Sequence, residues 1–361
     1  PLFGLLLYVF LSNDTVHASH VMGVDINYTC TGLNTYTFTM DVYRDCFGIS
    51  LSSTQTLSFT SPSGCGPNFT ASLSLVNTGG TEVSQVCPTD LPNTNCNVGG
   101  TIPGTEVWTY TGTVTFPAAC TDWTYSWNMC CRNVQITNLV SPASQDSYMD
   151  GVVNTTICNS SPQFYSIPTP YICAGQPFCY SLGTADPDND SLVFTLVNPQ
   201  DGPAPPTNIP YTIPHTVNEP LTSTVPWTFN PASGEFCFTP DIAQIGVVKI
   251  QVDEYRNGVL IGTSYRELQI IVQACSNQQP NFNSPPVTNV TGGVLVDSTV
   301  IEVCPGDNMT FTVLASDPNV DNITMNSNIL ALPGATWTTS CVCSPVTGTF
   351  DWTPTVADIG T

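Results

Sequence analysis

Basic side chains are almost absent from this sequence. Its 361 residues include five, Arg44, Arg132, Lys249, Arg256 and Arg266, against 27 acidic ones, for a formal charge of -22. Five scattered bases cannot form the cationic footprint that nucleic-acid binding requires, so a nucleic-acid partner is excluded. An anionic membrane surface would repel the chain. Charged residues of both signs make up 9% of it, against about 25% in a typical soluble domain. Long soluble helices and coiled coils draw on Glu, Lys, Arg, Ala and Leu, which are scarce here. Histidine is scarce too: His17, His20 and His215 have no ligand-like spacing. There is no G-x-S-x-G, no H-E-x-x-H and no phosphate loop, so no catalytic residue is assigned. No apolar run reaches the ~20 residues that span a bilayer, so direct membrane insertion is not expected.

What is present is Ser, Thr and Asn, with 31 Pro, 26 Gly and 16 Cys. A hydrophobic share of 41% and an aromatic share of 10% can fill a core, which argues against disorder throughout. At ~100–200 residues per domain, two or three domains are expected. No Cys pair has the double CxxC spacing of a zinc site, so the reading is a disulfide-bonded, exported chain. The apolar run Leu2 to Leu11 precedes polar Ser12-Asn13-Asp14, and Val16-His17-Ala18 has small residues before a cut. Residues 1–18 are therefore expected to be a signal peptide without its charged start. The end at Gly360-Thr361 falls in a strand approach and is expected to be a truncation.

Apolar and polar residues alternate with period two. Tyr36, Phe38, Met40 and Val42 share one face, and Trp108, Tyr110, Val114 and Phe116 share another. Trp123, Tyr125, Trp127 and Met129 repeat the pattern. Such strands are half buried, as in antiparallel sandwiches. Val247 to Tyr255 and Leu260 to Val272 flank Asn257-Gly258, a strong hairpin signal. There is also an internal repeat. Cys173-Ala174-Gly175-Gln176 matches Cys304-Pro305-Gly306-Asp307, and Asp186-Pro187-Asp188-Asn189-Asp190 matches Asp317-Pro318-Asn319-Val320-Asp321. Further on, Gly234-Glu235-Phe236-Cys237-Phe238-Thr239-Pro240 matches Gly348-Thr349-Phe350-Asp351-Trp352-Thr353-Pro354, and each run leads to Ile-Gly (Ile245-Gly246, Ile359-Gly360). The expected fold is all-β: tandem immunoglobulin-like or cadherin-like β-sandwich modules, disulfide-rich, with almost no helix outside the signal peptide. The expected boundaries are a Cys-rich β module over 19–160, a sandwich over 161–275, a Pro-containing linker over 276–299 and a truncated second repeat over 300–361.

Several of these motifs resemble one family. They are Ser19-His20-Val21-Met22-Gly23, Tyr43-Arg44-Asp45-Cys46, Cys120-Thr121-Asp122-Trp123, and the run Cys130-Cys131-Arg132-Asn133-Val134-Gln135-Ile136-Thr137-Asn138-Leu139. Glu254-Tyr255-Arg256-Asn257-Gly258 and Tyr265-Arg266-Glu267 belong with them. Residues 19 to about 275 resemble the N-terminal region of large secreted surface proteins of Bacteroidota-type bacteria. Many of those end in a gliding-motility-associated C-terminal sorting domain and leave by type IX secretion. The two repeats separately resemble bacterial cadherin-like or other immunoglobulin-like repeats. The resemblance implies a non-enzymatic, cell-surface adhesin or stalk segment, in attachment or gliding-type motility. Its implied partners are further modules of the same chain and an extracellular glycan or other surface ligand. The alternative is a carbohydrate-binding accessory region of a secreted hydrolase.

Asp186, Asp188 and Asp190 are spaced i, i+2, i+4, and closely spaced carboxylates in a turn suit Ca2+. An EF-hand is rejected, because Ser191 and Val197 stand where it needs Gly and Glu. Structural Ca2+ is expected there, with Asp253 as a further ligand, and also at Asp317, Asn319 and Asp321. The competing reading is an Asp-Pro turn that bonds its own backbone. A Cys179–Cys237 disulfide is expected as an inter-sheet staple. Its positions align with Thr310 and Asp351, so both thiols are present in one copy and both missing in the other. Cys173 is paired with Cys275, leaving Cys304 to a partner beyond Thr361, or to Cys341 or Cys343. The nine Cys from Cys30 to Cys158 are an odd set. The Arg residues are read as structural ion pairs rather than ligand grips, and the aromatic strands as core rather than a sugar platform.

Overall fold

A computed structural model describes residues 21–76, 79–86, 88–296, 300–327 and 332–358. The signal stretch 1–18, Ser19, His20, Cys87 and Ile359-Gly360 lie outside them. The chain is all-β: no α-helix occurs among the described residues, and short turns such as Leu91–Asn93 are 3-10. Among the described residues no helix is long and apolar enough to cross a membrane. The described residues fall into two compact units that divide between Ala274 and Cys275.

The longer strands of the first unit are β1 (Val21–Gly32), β2 (Thr35–Asp45), β3 (Thr54–Thr60), β4 (Phe69–Leu75), β5 (Thr105–Thr115), β6 (Trp123–Cys130), β7 (Asp146–Val153), β8 (Tyr171–Cys173), β9 (Phe178–Tyr180), β10 (Ser191–Val197), β11 (Phe236–Phe238), β12 (Gln244–Arg256) and β13 (Val259–Gln273). The main ladder runs β1-β2-β5-β4-β3-β6-β7-β13-β12-β10. It returns on itself, because β13 also pairs with β1, at Val24↔Glu267 and Asp25↔Arg266. Residues 19–160 and 161–275, expected as separate modules, thus share one sheet. Each keeps its own apolar cluster, one around Phe38, Phe59, Trp123 and Tyr125, the other around Leu182, Phe236, Ile250 and Ile270.

The period-two pattern sets the first cluster. Tyr36, Phe38, Met40 and Val42 are all at most 1% exposed, and Phe38 packs on Tyr28, Phe59 and Tyr125 with ring centroids 5.4–5.6 Å apart. Truncating such a ring costs about 3–5 kcal/mol. The hairpin β12–β13 turns at Asn257 and Gly258, with φ of 54° and 78°, the left-handed pair that a type I′ turn requires.

The second unit holds β14 (Asn281–Thr291), β15 (Met309–Ser316), β16 (Thr336–Thr339) and β17 (Val346–Trp352), ordered β14-β15-β17-β16. The stretch 276–299 is therefore not a bare linker, since β14 lies within it. β14 is an edge strand whose register breaks between Phe282 and Val287, around Pro285 and Pro286. Proline is tolerated at an edge because the missing N–H faces away from the ladder.

Both copies of the repeat close the same way. The Gly175 N–H donates to the Pro240 carbonyl at 2.6 Å, and the Gly306 N–H to the Pro354 carbonyl at 2.8 Å. Cys30–Cys158, Cys46–Cys96, Cys65–Cys120 and Cys130–Cys131 are disulfides. Cys179 and Cys237 are bonded with Cα atoms 4.1 Å apart. They are direct cross-strand neighbours on β9 and β11, so the bond lies within one sheet and is not the inter-sheet staple expected. Alternation turns Tyr180, Phe236 and Phe238 inward and leaves Cys179 exposed. Cys173 and Cys275 are both disulfide-bonded. Cys341 bonds Cys343, which leaves Cys304 a free, exposed thiol.

Candidate cation site at the Asp-Pro-Asp-Asn-Asp turn

The five bases come first, because they decide what charge is left over. Arg44 faces Glu106 across β2 and β5, forms an ion pair with it, and lies 5.6 Å from the Trp108 ring. Arg132 grips both carboxylate oxygens of Glu267. Arg266, fully buried, lies with its Nε 3.0 Å from Asp25 Oδ1 and its Nη2 donating to Asp25 Oδ2 at 3.1 Å. Lys249, also fully buried, donates to the Tyr148 carbonyl and to Gln200 Oε1, and sits over the Tyr148 and Tyr265 rings. Burial pulls its pKa down to about 8, against the opposing pull of Glu267 and Asp150. Arg256 belongs to the site itself.

The Asp186–Asp190 turn precedes β10. Asp186 Oδ1 accepts the N–H of Asp188 and of Asp190, each at 2.9 Å, as short acidic side chains do in such turns. Asn189 takes the left-handed conformation, φ 62°, which Asn tolerates. β10 pairs with β12 in the register Leu192↔Glu254, which sets the turn beside the end of β12. There Glu254 and Arg256 project on the same face, two residues apart.

Arg256 Nε donates to Asp190 Oδ1 at 2.8 Å, and Nη2 to Asp190 Oδ2 at 2.5 Å and to Asn159 Oδ1 at 2.6 Å. Bonding to Asp190 drives its pKa further up. Asp188 Oδ2 lies 3.5 Å from the same Nη2 and accepts the Ser160 N–H at 2.7 Å. Asn159 Nδ2 donates to Glu254 Oε1 at 2.5 Å. Glu254 Oε2 and Asp186 Oδ2 are both buried without a hydrogen-bond partner. One carboxylate oxygen from each of Asp186, Asp190 and Glu254 lies within 4.8 Å of the others. Burial, and then the charges of Asp186 and Asp190, hold the Glu254 carboxyl well above the usual carboxylate range. Asp186 is raised too, mainly by burial.

Of the expected ligands, the structure brings Asp186 and Asp190 together and adds Glu254 in place of Asp253. Strand alternation turns Asp253 to the other face, where its carboxylate accepts from Gln251 Nε2 and Thr263 Oγ1. Asp188 is held at the rim by Ser160 and Arg256. The second copy forms the same turn: Asp317 Oδ1 accepts the N–H of Asn319 at 2.7 Å and of Asp321 at 3.2 Å. Asn319 Oδ1 takes the Gln278 N–H. Among the described residues no third acid joins Asp317 and Asp321 in such a group. Sequence reasoning missed Glu254 and Asn159. The signal for Glu254 was available, since it continues the buried series Ile250, Val252 by period two.

The aromatic strands offer no sugar platform: Trp108, Tyr110, Trp123, Tyr125 and Trp127 are all buried in the first cluster.

No protein-family model and no curated protein matches the chain. Among solved structures, the chain is similar to the two tandem V-type regions of a v-region-containing chitin binding protein. Identity is 9% and the TM-score 0.33, over 70% of this chain and 100% of that one. It is also similar to the I67-I69 I-band fragment of titin, at 10% identity and a TM-score of 0.18, over 94% of this chain and 91% of that one. At these values the likeness does not bear on function.

Proposed function

We propose that the chain is a disulfide-stapled, non-enzymatic segment of an exported surface protein, serving as a stalk or adhesin support. The observation that carries this reading is the fate of the bases. Arg44, Arg132, Lys249 and Arg266 are buried at 0–4% exposure in internal contacts, and Arg256 is bound by its own acids. The surface charge is therefore left to the acids. Such a surface repels anionic partners and keeps neighbouring copies apart, which suits an element whose role is extension and display. Six disulfides with assigned partners suit an oxidising compartment. Type IX export and gliding-type attachment are the specific setting in which we place it. The accessory sugar-binding reading loses its main support with the aromatics buried. The test is antibody labelling of intact source cells with serum raised against this chain, alongside a glycan array. Labelling without permeabilisation and a blank array are expected. Signal found only after permeabilisation overturns the surface reading, and a selective glycan signal favours the accessory module.

A further inference from the structure

The node at Asp186, Asp190 and Glu254 has a charge imbalance that the chain does not resolve. Three carboxylates meet, with Asp188 at the rim, and one guanidinium answers them. That guanidinium is committed to Asp190 and Asn159. Asn159 is pinned from both ends, its oxygen on Arg256 and its nitrogen on Glu254, so it cannot turn to serve Asp186. The other four bases are engaged elsewhere. Two buried carboxylate oxygens of these residues, Asp186 Oδ2 and Glu254 Oε2, still have no donor. Glu254 is 1% exposed, so bulk water does not satisfy it. What neutralises them comes from solution, as a proton on Glu254 or as a cation.

We propose that Asp186 Oδ2, Asp190 and Glu254 Oε2 form a binding site for one hard divalent cation of the Ca2+ type. The donor chemistry is all carboxylate oxygen, with no His or Cys in the group, and this selects Ca2+ over soft transition metals. Two oxygens each about 2.3–2.6 Å from one ion stand at most about 5 Å apart, and one carboxylate oxygen from each of the three residues lies within 4.8 Å of the others. Arg256 sits at the edge of the site as a tethered competitor for Asp190. The site also has a structural consequence. Asn159 and Ser160 bond its ligands and rim, and Ser161 bonds β1 through Tyr28 at 2.8 Å. An ion here locks the turn before β10 to the N-terminal half of the sheet. This inference is independent of the surface-segment reading.

The test is calorimetric titration of the whole chain with CaCl2 after chelator treatment, repeated on Glu254→Gln, Asp186→Asn and Asp253→Asn. Terbium luminescence excited through tyrosine serves as a second readout, since the Tyr28 hydroxyl and Glu254 Oε2 both lie beside Gly262. One saturable equivalent per chain is expected, weakened about tenfold or more by loss of either charged ligand. Asp253→Asn should bind as the parent does. Absence of saturable binding overturns the site. So does equal weakening in all three variants, which marks a diffuse polyanion effect. Far-ultraviolet circular dichroism checks that each variant is folded, and the two isosteric ligand variants give independent chances of a folded reporter.

Discussion

Thr310 stands directly opposite Asp351 across β15 and β17, the position that Cys179 and Cys237 hold across β9 and β11. The two copies of the repeat therefore share a strand register down to the residue pair, and one copy closes it covalently. The paired substitution Thr310→Cys with Asp351→Cys should form a disulfide in the second unit without moving the backbone. A bond closing a loop of this length contributes about 2–4 kcal/mol. The check is thermal unfolding with and without reductant. The gain should vanish on reduction, and each single variant should show none.

Lys249 gives a pH signature. Its folded pKa is lowered to about 8 from an ordinary 10.5. Between those values the unfolded chain binds the proton and the folded chain does not, so stability rises with pH across that window. The span corresponds to about 3 kcal/mol at most. Buried tyrosines such as Tyr125 and Tyr148, whose ionisation the fold resists, oppose it near the upper end. Urea titrations from pH 7.5 to 9.5 should show the positive slope in the parent chain. Lys249→Met should flatten it, and should be at least as stable as the parent at pH 7, because it removes a buried charge.

Local pattern was legible in the sequence and long-range pairing was not. Alternation placed Tyr36, Phe38, Met40 and Val42 inward, and the Asn257-Gly258 turn joined β12 to β13. The repeat marked two turns that close with equivalent hydrogen bonds. What escaped was the meeting of Asp25 with Arg266, 241 residues apart, which merges two expected modules into one sheet. No period or spacing encodes such a contact. The cation site was half legible for a related reason. The Asp turn is local, but the choice between Asp253 and Glu254 depends on which face of β12 packs inward, and the ladder to β13 is irregular between Glu254 and Tyr255.

The Asp25–Arg266 pair predicts a strong non-additivity. Burial pushes Asp25 up to about 6 despite the guanidinium beside it, so the pair is not fully compensated for desolvation. Arg266 also donates to the Leu182 and Ser166 carbonyls and lies over the Phe164 ring. Arg266→Met alone should cost about 3–5 kcal/mol, because it strands a buried carboxylate. Asp25→Asn added to it should recover part of that loss. A double-mutant cycle by urea unfolding at pH 7 measures the coupling, and additive losses would sink this account.

Gly262 carries the last prediction. It sits on β13 opposite Glu254. A Cβ added there would lie 2.8 Å from Glu254 Oε2 and 3.1 Å from the Tyr28 hydroxyl. Glycine is thus the residue that lets the Glu254 carboxylate lie flat against the strand and reach the Asp turn. Its backbone is ordinary extended strand, so alanine costs nothing in φ, and the penalty comes from contact alone. Both neighbours are buried, at 1% exposure each, and have little room to retreat. Gly262→Ala should destabilise by about 1–3 kcal/mol through overpacking. The double variant Gly262→Ala with Glu254→Ala should be less destabilised than the sum of the singles, since removing the carboxylate frees the space. Thermal unfolding of the three variants decides it. If Gly262→Ala melts with the parent chain, Glu254 is not held against this strand as described.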